Sequence, residues 1–343
     1  MATIKDVADK AGVSITTVSH VINQTRYVSE ELTQKVTQAM ADLNYQQNIL
    51  ASSLRSGRSK TIGLIIPDIS NLFFAEISRK IEDKGFEYGY SVILCNTDDN
   101  ISKEIKYIDV LQTKQVDGII FISAGGSESI LTNPLESDIP VVVADRDSVG
   151  FFSDVVLIEN RKGGYDATNY LISLNHRKIA CISGPSLITP SAQRVEGYKT
   201  ALQDAGIPFE PSFLQMGDFR FESGNKAMRE ILKSPDLPTA VFVCNDMMAI
   251  GAMRAIKDFG LHIPDDISIV GFDNIPLSNI IFPALTTIAQ PMQKMANLIL
   301  ELLVEKIKIK ENRKRHKEIE PEYQRIVLYT ELIVRDSCKK IEK

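Results

Sequence analysis

The segment Ile4–Ile22 contains two short helical patterns around a glycine, and this spacing constrains the fold more than any other feature of the chain. Ala8 lies where the two helices must approach closely, and Gly12 lies where the turn needs a positive φ. Val18 faces back into a small core, and Ser14 is a suitable N-cap for the second helix. The layout is that of a DNA-reading helix-turn-helix. The alternative is a solvent-facing helical hairpin, which needs no polar side chains on its outer face.

The second helix has such polar side chains. Thr16, Thr17 and His20 lie on its outer face, with residues 16 and 20 one helical turn apart. A third helix begins after Ser29, a second N-cap, and should end near Tyr45. The segment 48–54 is capable of forming a short helix, and residues 55–60 have the composition of a linker.

Charge and cysteine content limit the class of protein. The chain has 343 residues and a net charge of −5, of which the first 59 residues contribute +1 from six cations and five acids. DNA affinity must therefore depend on where the cations lie, on helix N-termini and on having two copies. The four cysteines are far apart, which favours buried reduced thiols. We find no signal peptide and no apolar run of membrane length, so we expect a cytoplasmic protein.

From residue 61 onward, short apolar strands alternate with amphipathic helices. The predicted strands are 62–66, 92–95, 118–122, 141–144, 155–158, 179–182, 213–216, 240–244, 267–270 and 286–289, with a final strand at 325–334. The predicted helices are 74–88, 101–114, 164–174, 193–205, 223–233 and 247–259. This alternation predicts two doubly wound parallel sheets in tandem, with a crevice between them.

The motifs of common enzymes are missing. The sequence has no GxGxxG after a strand, no P-loop and no GxSxG. His176, His262 and His316 have no metal-site spacing and are interpreted as surface or capping residues. We therefore expect no catalysis, no cofactor and no metal.

Polar and aromatic residues recur at the ends of the predicted strands, where open parallel sheets bind ligands. The candidate effector-binding residues are Asn71, Phe73, Phe74, Asp145, Arg146, Arg194, Phe219, Asn245, Asp273 and Gln290. Each has a structural alternative: helix caps for the Asn and Asp residues, core packing for the phenylalanines, and a surface ion pair for the Asp-Arg dipeptide. Together they match a sugar, which needs hydrogen bonds to vicinal hydroxyls and aromatic cover for its C–H faces.

The chain resembles the lactose-repressor/galactose-repressor family over its whole length. The segments that carry the resemblance are Ile4–Asn23, Asn44–Leu54, Pro238–Asp273 and Leu285–Pro291. The resemblance implies a dimeric transcription factor that binds a pseudo-palindromic DNA operator. Its fold would be an all-α helix-turn-helix head joined to an α/β core like that of periplasmic sugar-binding proteins.

The implied domains are a DNA-binding head at 1–46, a hinge helix and linker at 47–60, and an effector-binding and dimerisation core at 61–343. In the core we expect an N-subdomain of about 61–159 and 290–324 and a C-subdomain of about 160–289 and 325–343. Residues 337–343 contain no leucine heptad, so we expect a homodimer without a tetramer-forming tail.

The resemblance also implies the DNA contacts. They are assigned to Thr3, Ser14, Ile15, Thr16, Thr17, Ser19, His20, Asn23 and Leu54. Ile15, Thr16 and His20 match base-contacting positions, whereas Thr17 and Ser19 are expected to bind phosphate or to cap locally.

The hinge has one matching position and two departures. Leu54 matches a leucine that wedges into the minor groove; the alternative is a linker residue that packs against its own domain. Gln47 and Ser52 replace the usual proline and arginine of the family.

The effector set resembles the pocket of ribose-binding proteins position by position, with Leu72 replacing a usual proline outside the set. Purine repressors of the family generally have an aromatic residue in place of the Asp-Arg pair. We therefore expect a repressor that responds to a small sugar, with ribose as the first candidate. The alternatives are another sugar, or control by a phosphocarrier protein in carbon catabolite regulation.

Overall fold

The structure is a computed structural model that describes residues 2–23, 26–45, 58–122, 139–145, 153–313 and 323–342. The predictions made for Gln47, Ser52, Leu54 and Arg146 lie outside these residues. The chain divides into two compact units, Met1–Ser59 and Lys60–Lys343. The finer domain borders stay predictions.

The first unit contains the predicted three helices: α1 (Ile4–Ala11), α2 (Ile15–Asn23) and α3 (Glu30–Asp42). Gly12 ends α1 with a φ of 68°, a left-handed conformation that favours glycine. Ser29 caps α3 as predicted, with its side chain accepting from the Leu32 amide. The small apolar core is formed by Val7, Ala8, Val18, Val36 and Ala39. This compact core confirms the predicted helix-turn-helix arrangement.

The second unit contains two six-stranded sheets. The N-subdomain sheet has the order β11-β5-β4-β3-β1-β2, and its paired strands are all parallel. Its strands are β1 (Thr61–Ile66), β2 (Ser91–Asn96), β3 (Gly118–Phe121), β4 (Val141–Ala144), β5 (Asp154–Ile158) and β11 (Arg325–Leu328). Its helices are α4 (Leu72–Glu87), α5 (Ile101–Thr113) and α11 (Met292–Arg313).

The C-subdomain sheet has the order β12-β10-β9-β8-β6-β7. Its strands are β6 (Ile179–Ser183), β7 (Leu214–Met216), β8 (Ala240–Val243), β9 (Ser268–Asp273), β10 (Thr286–Ala289) and β12 (Glu331–Ile333). Its helices are α6 (Asn160–Ser173), α7 (Thr189–Asp204), α8 (Phe221–Ile231), α9 (Asp246–Asp258) and α10 (Leu277–Ile280). The two doubly wound sheets predicted from the alternating pattern are confirmed. Among the described residues, we find no helix with the length and apolarity to cross a membrane.

One predicted strand is wrong. Residues 325–334 form two strands in different sheets, because β11 pairs parallel to β5 and β12 pairs antiparallel to β10. The apolar alternation of the segment continues across Tyr329 and Thr330, so periodicity alone does not reveal that the chain changes sheets there. β11, which begins at residue 325, therefore lies in the same sheet as β1 to β5.

Two close helix contacts position the C-subdomain residues that follow. A Cβ on Gly164 of α6 would lie 2.2 Å from the carbonyl oxygen of Arg194 on α7. A Cβ on Gly197 of α7 would lie 2.0 Å from the carbonyl oxygen of Arg161. The two helices thus touch through their backbones, and only glycine permits this approach. The contact fixes where the Arg194 side chain begins.

Candidate DNA-reading surface and effector cleft

The N-terminus of α2 presents the predicted base-reading residues. The Ser14 hydroxyl accepts from the Thr17 amide at 3.0 Å, which caps the helix, and it lies 2.9 Å from the Thr17 hydroxyl. Ile15 is 45% exposed, and Thr16 is also exposed. Ser19 and His20, further along α2, are half-buried. At this end of the helix, the apolar side chain and the hydroxyl suit base edges, and the backbone amides suit phosphates.

Thr3 is engaged at the start of α1. Its hydroxyl accepts from the Asp6 amide at 3.3 Å and donates to the Asp6 carboxylate at 2.8 Å. The Thr3 amide also donates to this carboxylate at 2.7 Å, and the hydrogen bonds from the Thr3 amide and hydroxyl lower the pKa of Asp6 below its ordinary value. Thr3 therefore caps α1, and its contact with DNA stays a prediction. Asn23 is the last residue of α2, and Leu54 lies outside the described residues.

Arg194 lies at the centre of a polar network in the C-subdomain. It is 4% exposed, and its guanidinium donates to the Cys244 carbonyl at 2.6 Å and to the Asn160 side chain at 2.9 Å. It also lies 3.7 Å from the ring centroid of Phe272. Its helix begins at Thr189, so Arg194 lies one turn inside α7 rather than at the helix start that the sequence indicated. The side chain is held in place from three directions.

Asp273 and Gln290 complete this network. The Asp273 carboxylate lies 3.5 Å from the Arg194 guanidinium and accepts from the Gln290 amide at 2.7 Å. Burial raises the pKa of Asp273 to about 8, while Arg194 opposes this shift and the nearby Asp246 and Asp145 add to it. The Gln290 side-chain oxygen is buried and accepts no hydrogen bond from the described residues. Such a buried acceptor is costly unless a ligand or water donates to it.

Asn245 and Phe219 form a second contact in the same subdomain. The Asn245 oxygen accepts from the Met248 amide at 3.0 Å, which caps α9, and its amide donates to the Phe219 carbonyl at 2.9 Å. The Phe219 ring occupies the space beside Gly184, where a Cβ would lie 2.2 Å from the ring. The capping alternative is therefore also correct for Asn245, and the cap fixes the loop that carries Phe219.

In the N-subdomain, the candidate residues cap a helix and pack in the core. Asn71 caps α4 by accepting from the Phe73 amide at 3.1 Å. The rings of Phe73 and Phe74 meet edge to face at 5.1 Å between centroids and are buried in the N-subdomain core. Met247 of α9 packs against this core from the C-subdomain. The two subdomains thus meet directly beside the predicted effector residues.

Three of the predicted effector residues have left-handed backbone conformations: Asp145 (φ 64°), Phe219 (φ 70°) and Asp273 (φ 108°). Each lies at or just after the end of a strand. Such conformations cost about 1–3 kcal/mol for a non-glycine residue and concentrate at functional sites. Asp145 is also buried, and its charge raises the pKa of Asp273 across the gap between the sheets.

Sequence reasoning missed two buried residues. Asn160, which follows β5, orients Arg194, and its position after a strand was the available signal. Asp246 is the first residue of α9 and follows directly after the Asn245 cap. The buried Asp246 carboxylate accepts from the Ile275 amide, the Ser278 hydroxyl and the Thr287 hydroxyl. It thereby ties the start of α9 to the segment between Asp273 and Gln290.

The surface interpretation of His176 is wrong. This side chain is 1% exposed, and its ring bonds to the Thr239 hydroxyl and to the Lys339 carbonyl. It joins the start of the C-subdomain sheet to the C-terminal segment. The four cysteines are free thiols, of which Cys338 is half-buried and the others are buried. No cluster of metal-binding side chains occurs within the described ranges.

Comparisons with known proteins agree with this geometry. The family model "Periplasmic binding proteins and sugar binding domain of LacI family" matches residues 59–329, and "Bacterial regulatory proteins, lacI family" matches residues 3–48. The chain is 41% identical over 343 residues to the HTH-type transcriptional repressor PurR of Vibrio vulnificus, covering 99% of this chain and all of that protein.

Two solved structures are similar over most of the chain. A lac repressor dimer bound to operator and the anti-inducer ONPF has a TM-score of 0.84 and 27% identity, covering 98% of this chain and 99% of that one. A LacI family transcriptional regulator from Enterococcus faecium with bound ribose has a TM-score of 0.72 and 34% identity, covering 82% of this chain and 100% of that one.

Proposed function

The chain belongs to the LacI family of DNA-binding transcriptional repressors, and we propose that its operator binding is controlled by a pentose, with ribose as the first candidate. The observation that carries the proposal is the buried polar network of Arg194, Asp273 and Gln290 between the two sheets. Its relatives are repressors rather than enzymes.

The network offers the groups that a sugar requires. Asp273 accepts hydrogen bonds, the Gln290 oxygen is a buried acceptor, and Arg194 is a rigidly held donor. Vicinal hydroxyls both donate and accept, so they pair with such mixed groups in a way that an apolar ligand does not. Each hydroxyl that satisfies a buried charged partner contributes about 1.5–3 kcal/mol.

The aromatic residues supply the second requirement. Phe73 and Phe74 lie on the N-subdomain side, and Phe219 lies on the C-subdomain side. Aromatic faces on both sides cover the C–H surfaces of a flat furanose or pyranose ring. The related Enterococcus faecium regulator holds ribose, and it is 34% identical to this chain.

A purine is the second candidate because the curated relatives are named PurR. A purine base would stack on the same phenylalanines and would hydrogen-bond to the same carboxylate and amide. The Asp145-Arg146 dipeptide favours the sugar, since two adjacent charged groups suit several hydroxyls better than one planar ring. Arg146 itself lies outside the described residues.

The head would read the operator through α2. Ile15, Thr16 and His20 are assigned to base contacts, and Ser14, Thr17, Ser19 and the helix N-terminus to phosphates. Family members dimerise, as the lac repressor structure shows for that protein, so two heads would read the two half-sites of a pseudo-palindrome. The effector controls DNA binding by having unequal affinity for the two conformations of the core.

Calorimetry with the purified protein tests the effector. We expect ribose to bind with release of the operator, and adenine, guanine and hypoxanthine to give no heat. Saturable binding of a purine with no ribose signal would replace the sugar by a purine. Binding of neither, at millimolar concentration, would remove the small-molecule proposal.

Operator binding tests the head. DNA fragments selected from a random library by the wild type serve as the probe in fluorescence anisotropy. Thr16→Ala should weaken specific binding about tenfold, because a lost base contact costs about 1–3 kcal/mol. Thr37→Ala on α3 is the matched control, since the Thr37 hydroxyl bonds to the Thr33 carbonyl of its own helix. Equal losses in both variants would contradict the assignment of α2 as the reading helix.

A further inference from the structure

Arg220 extends from one subdomain of the core to the other. It follows β7 and directly precedes α8, so it belongs to the C-subdomain. Its guanidinium donates to the Asp68 carboxylate at 2.8 Å and 3.2 Å and lies 3.4 Å from the Asp99 carboxylate. Asp68 follows β1 and Asp99 follows β2, so both acids belong to the N-subdomain. The contact is therefore an ion pair between the two subdomains.

The acidic end of this ion pair is fixed to the loop that carries Asn71. One Asp68 oxygen accepts from the Ser70 amide at 2.9 Å and from the Ser70 hydroxyl at 2.6 Å. The Asp68 carbonyl accepts from the Asn71 amide at 3.2 Å. The other Asp68 oxygen receives both Arg220 hydrogen bonds. The carboxylate thus shapes the turn into α4 and contacts the opposite subdomain at the same time.

The basic end is fixed to the loop that carries Phe219. Arg220 is the next residue, and its amide donates to the Asp218 carboxylate at 2.9 Å. The Phe219 carbonyl accepts from Asn245, and the Phe219 φ is 70°. The backbone is therefore held on both sides of Phe219, directly next to the residue that makes the contact between the subdomains.

The acidic partner of this pair is shielded from solvent, whereas the basic partner is partly exposed. The Asp68 side chain is 12% exposed, and the Arg220 side chain is 45% exposed. Burial by itself raises the pKa of Asp68, but the hydrogen bonds from Ser70 and Arg220 outweigh it and lower the pKa below its ordinary value. Asp68 is therefore ionised at neutral pH, and its charge is available to Arg220.

We propose that Arg220 and Asp68 are positioning residues for effector binding: their ion pair holds the two sides of the cleft at the closed separation without contacting the effector. The proposal rests on the proposed function to the extent that a small molecule binds between the subdomains. It does not depend on which molecule that is.

A double-mutant cycle on the full-length protein tests the proposal. Arg220→Gln removes the charge, and Asp68→Asn removes the charge while keeping an oxygen for Ser70. Each single variant should weaken ribose binding about fivefold in calorimetry. The double variant should bind ribose no more weakly than the single variant with the larger loss of affinity. Raising NaCl from about 50 mM to about 500 mM should weaken the wild type more than the double variant.

Arg229→Gln is the matched control. Arg229 pairs with Asp258 at 2.5 Å and is 43% exposed, but both residues lie in the C-subdomain. It should leave ribose affinity unchanged. Additive losses in the cycle, or an equal loss in Arg229→Gln, would overturn the proposal.

Amide hydrogen exchange of the effector-free protein separates this proposal from the choice of ribose. Exchange should rise at residues 68–71 and 217–223 in both single variants and stay at the wild-type level in Arg229→Gln. If ribose does not bind but this exchange pattern appears, the assignment of ribose as the effector is wrong, and the positioning role of the Arg220–Asp68 ion pair is supported. If ribose binds and the exchange does not change, the ion pair proposal fails.

Discussion

The two sides of the proposed effector cleft are built differently. On the C-subdomain side, Arg194, Asp273 and Gln290 contact one another and are nearly excluded from solvent. On the N-subdomain side, Asn71 caps a helix, and Phe73 and Phe74 pack into an apolar core. The first side is a polar network that is assembled before any ligand arrives. The second side is an apolar surface with a few polar groups at its edge.

The difference indicates which side determines affinity and which provides cover. Buried polar groups that hold one another in place lose little entropy when a ligand arrives, so they give directional hydrogen bonds. Aromatic residues in a packed core provide contact area with little direction. Effects of substitution should therefore be larger on the C-subdomain side.

The largest expected effect concerns the helix contact that carries Arg194. Gly164→Ala places a methyl group 2.2 Å from the Arg194 carbonyl oxygen, and backbone cannot yield as a side chain can. We expect a loss of about 3 kcal/mol in the free energy of unfolding, at the upper end for overpacking. Chemical denaturation measures it.

Gly85→Ala in α4 is the matched control in the N-subdomain. Its Cβ would lie 3.1 Å from a methyl group of the Val92 side chain, which can shift. Alanine also stabilises a helix by about 1 kcal/mol relative to glycine. We expect this variant to be within about 1 kcal/mol of the wild type. Similar destabilisation in both variants would show that α6 and α7 are no more closely constrained than α4.

The second effect concerns pH. Because burial raises the pKa of Asp273 to about 8 from an ordinary 3.8, the folded state holds a proton that the unfolded state releases. The free energy of unfolding should therefore fall as the pH rises from about 5 to about 8, by at most about 1.4 kcal/mol per pH unit. Asp273→Asn should remove the fall in the free energy of unfolding above about pH 6. The same variant should weaken ribose binding at least about tenfold.

Below that pH a slope should remain in Asp273→Asn, because burial raises the pKa of Asp246 to about 6. Thermal melting across this pH range gives the profile. Asp265→Asn, at a side chain that is 74% exposed, should keep the wild-type profile. An unchanged slope in Asp273→Asn would mean that this carboxylate is ionised in the folded protein.

The smallest effect separates the two roles of Asn71. Serine is also a good N-cap, so Asn71→Ser should change the free energy of unfolding by less than about 0.5 kcal/mol, whereas Asn71→Ala should cost about 1 kcal/mol. Both should weaken ribose binding about threefold if the side chain also contacts the effector. Normal ribose affinity in Asn71→Ser would leave Asn71 as a cap alone.

Local patterns predicted much of the fold. The three head helices, the caps at Ser14 and Ser29 and the left-handed Gly12 follow from short-range rules. The predicted bounds of the strands in both sheets differ from the observed bounds by a few residues, because buried strands and amphipathic helices differ in the period of their apolar residues. The change of sheet at Tyr329 and Thr330 was not found, since pairing partners lie far away in the sequence.

The sequence by itself determined the family, the helix-turn-helix head and the residue types at the strand ends, because these depend on local spacing and on recognisable segments. Only the tertiary structure decided what those residues contact. It shows that Asn245 rather than Asp246 caps α9, that Asn160 orients Arg194, and that Arg220 reaches Asp68 in the other subdomain. The physical reason is that hydrogen bonds and desolvation depend on groups separated by many residues, and the fold alone brings those groups within reach.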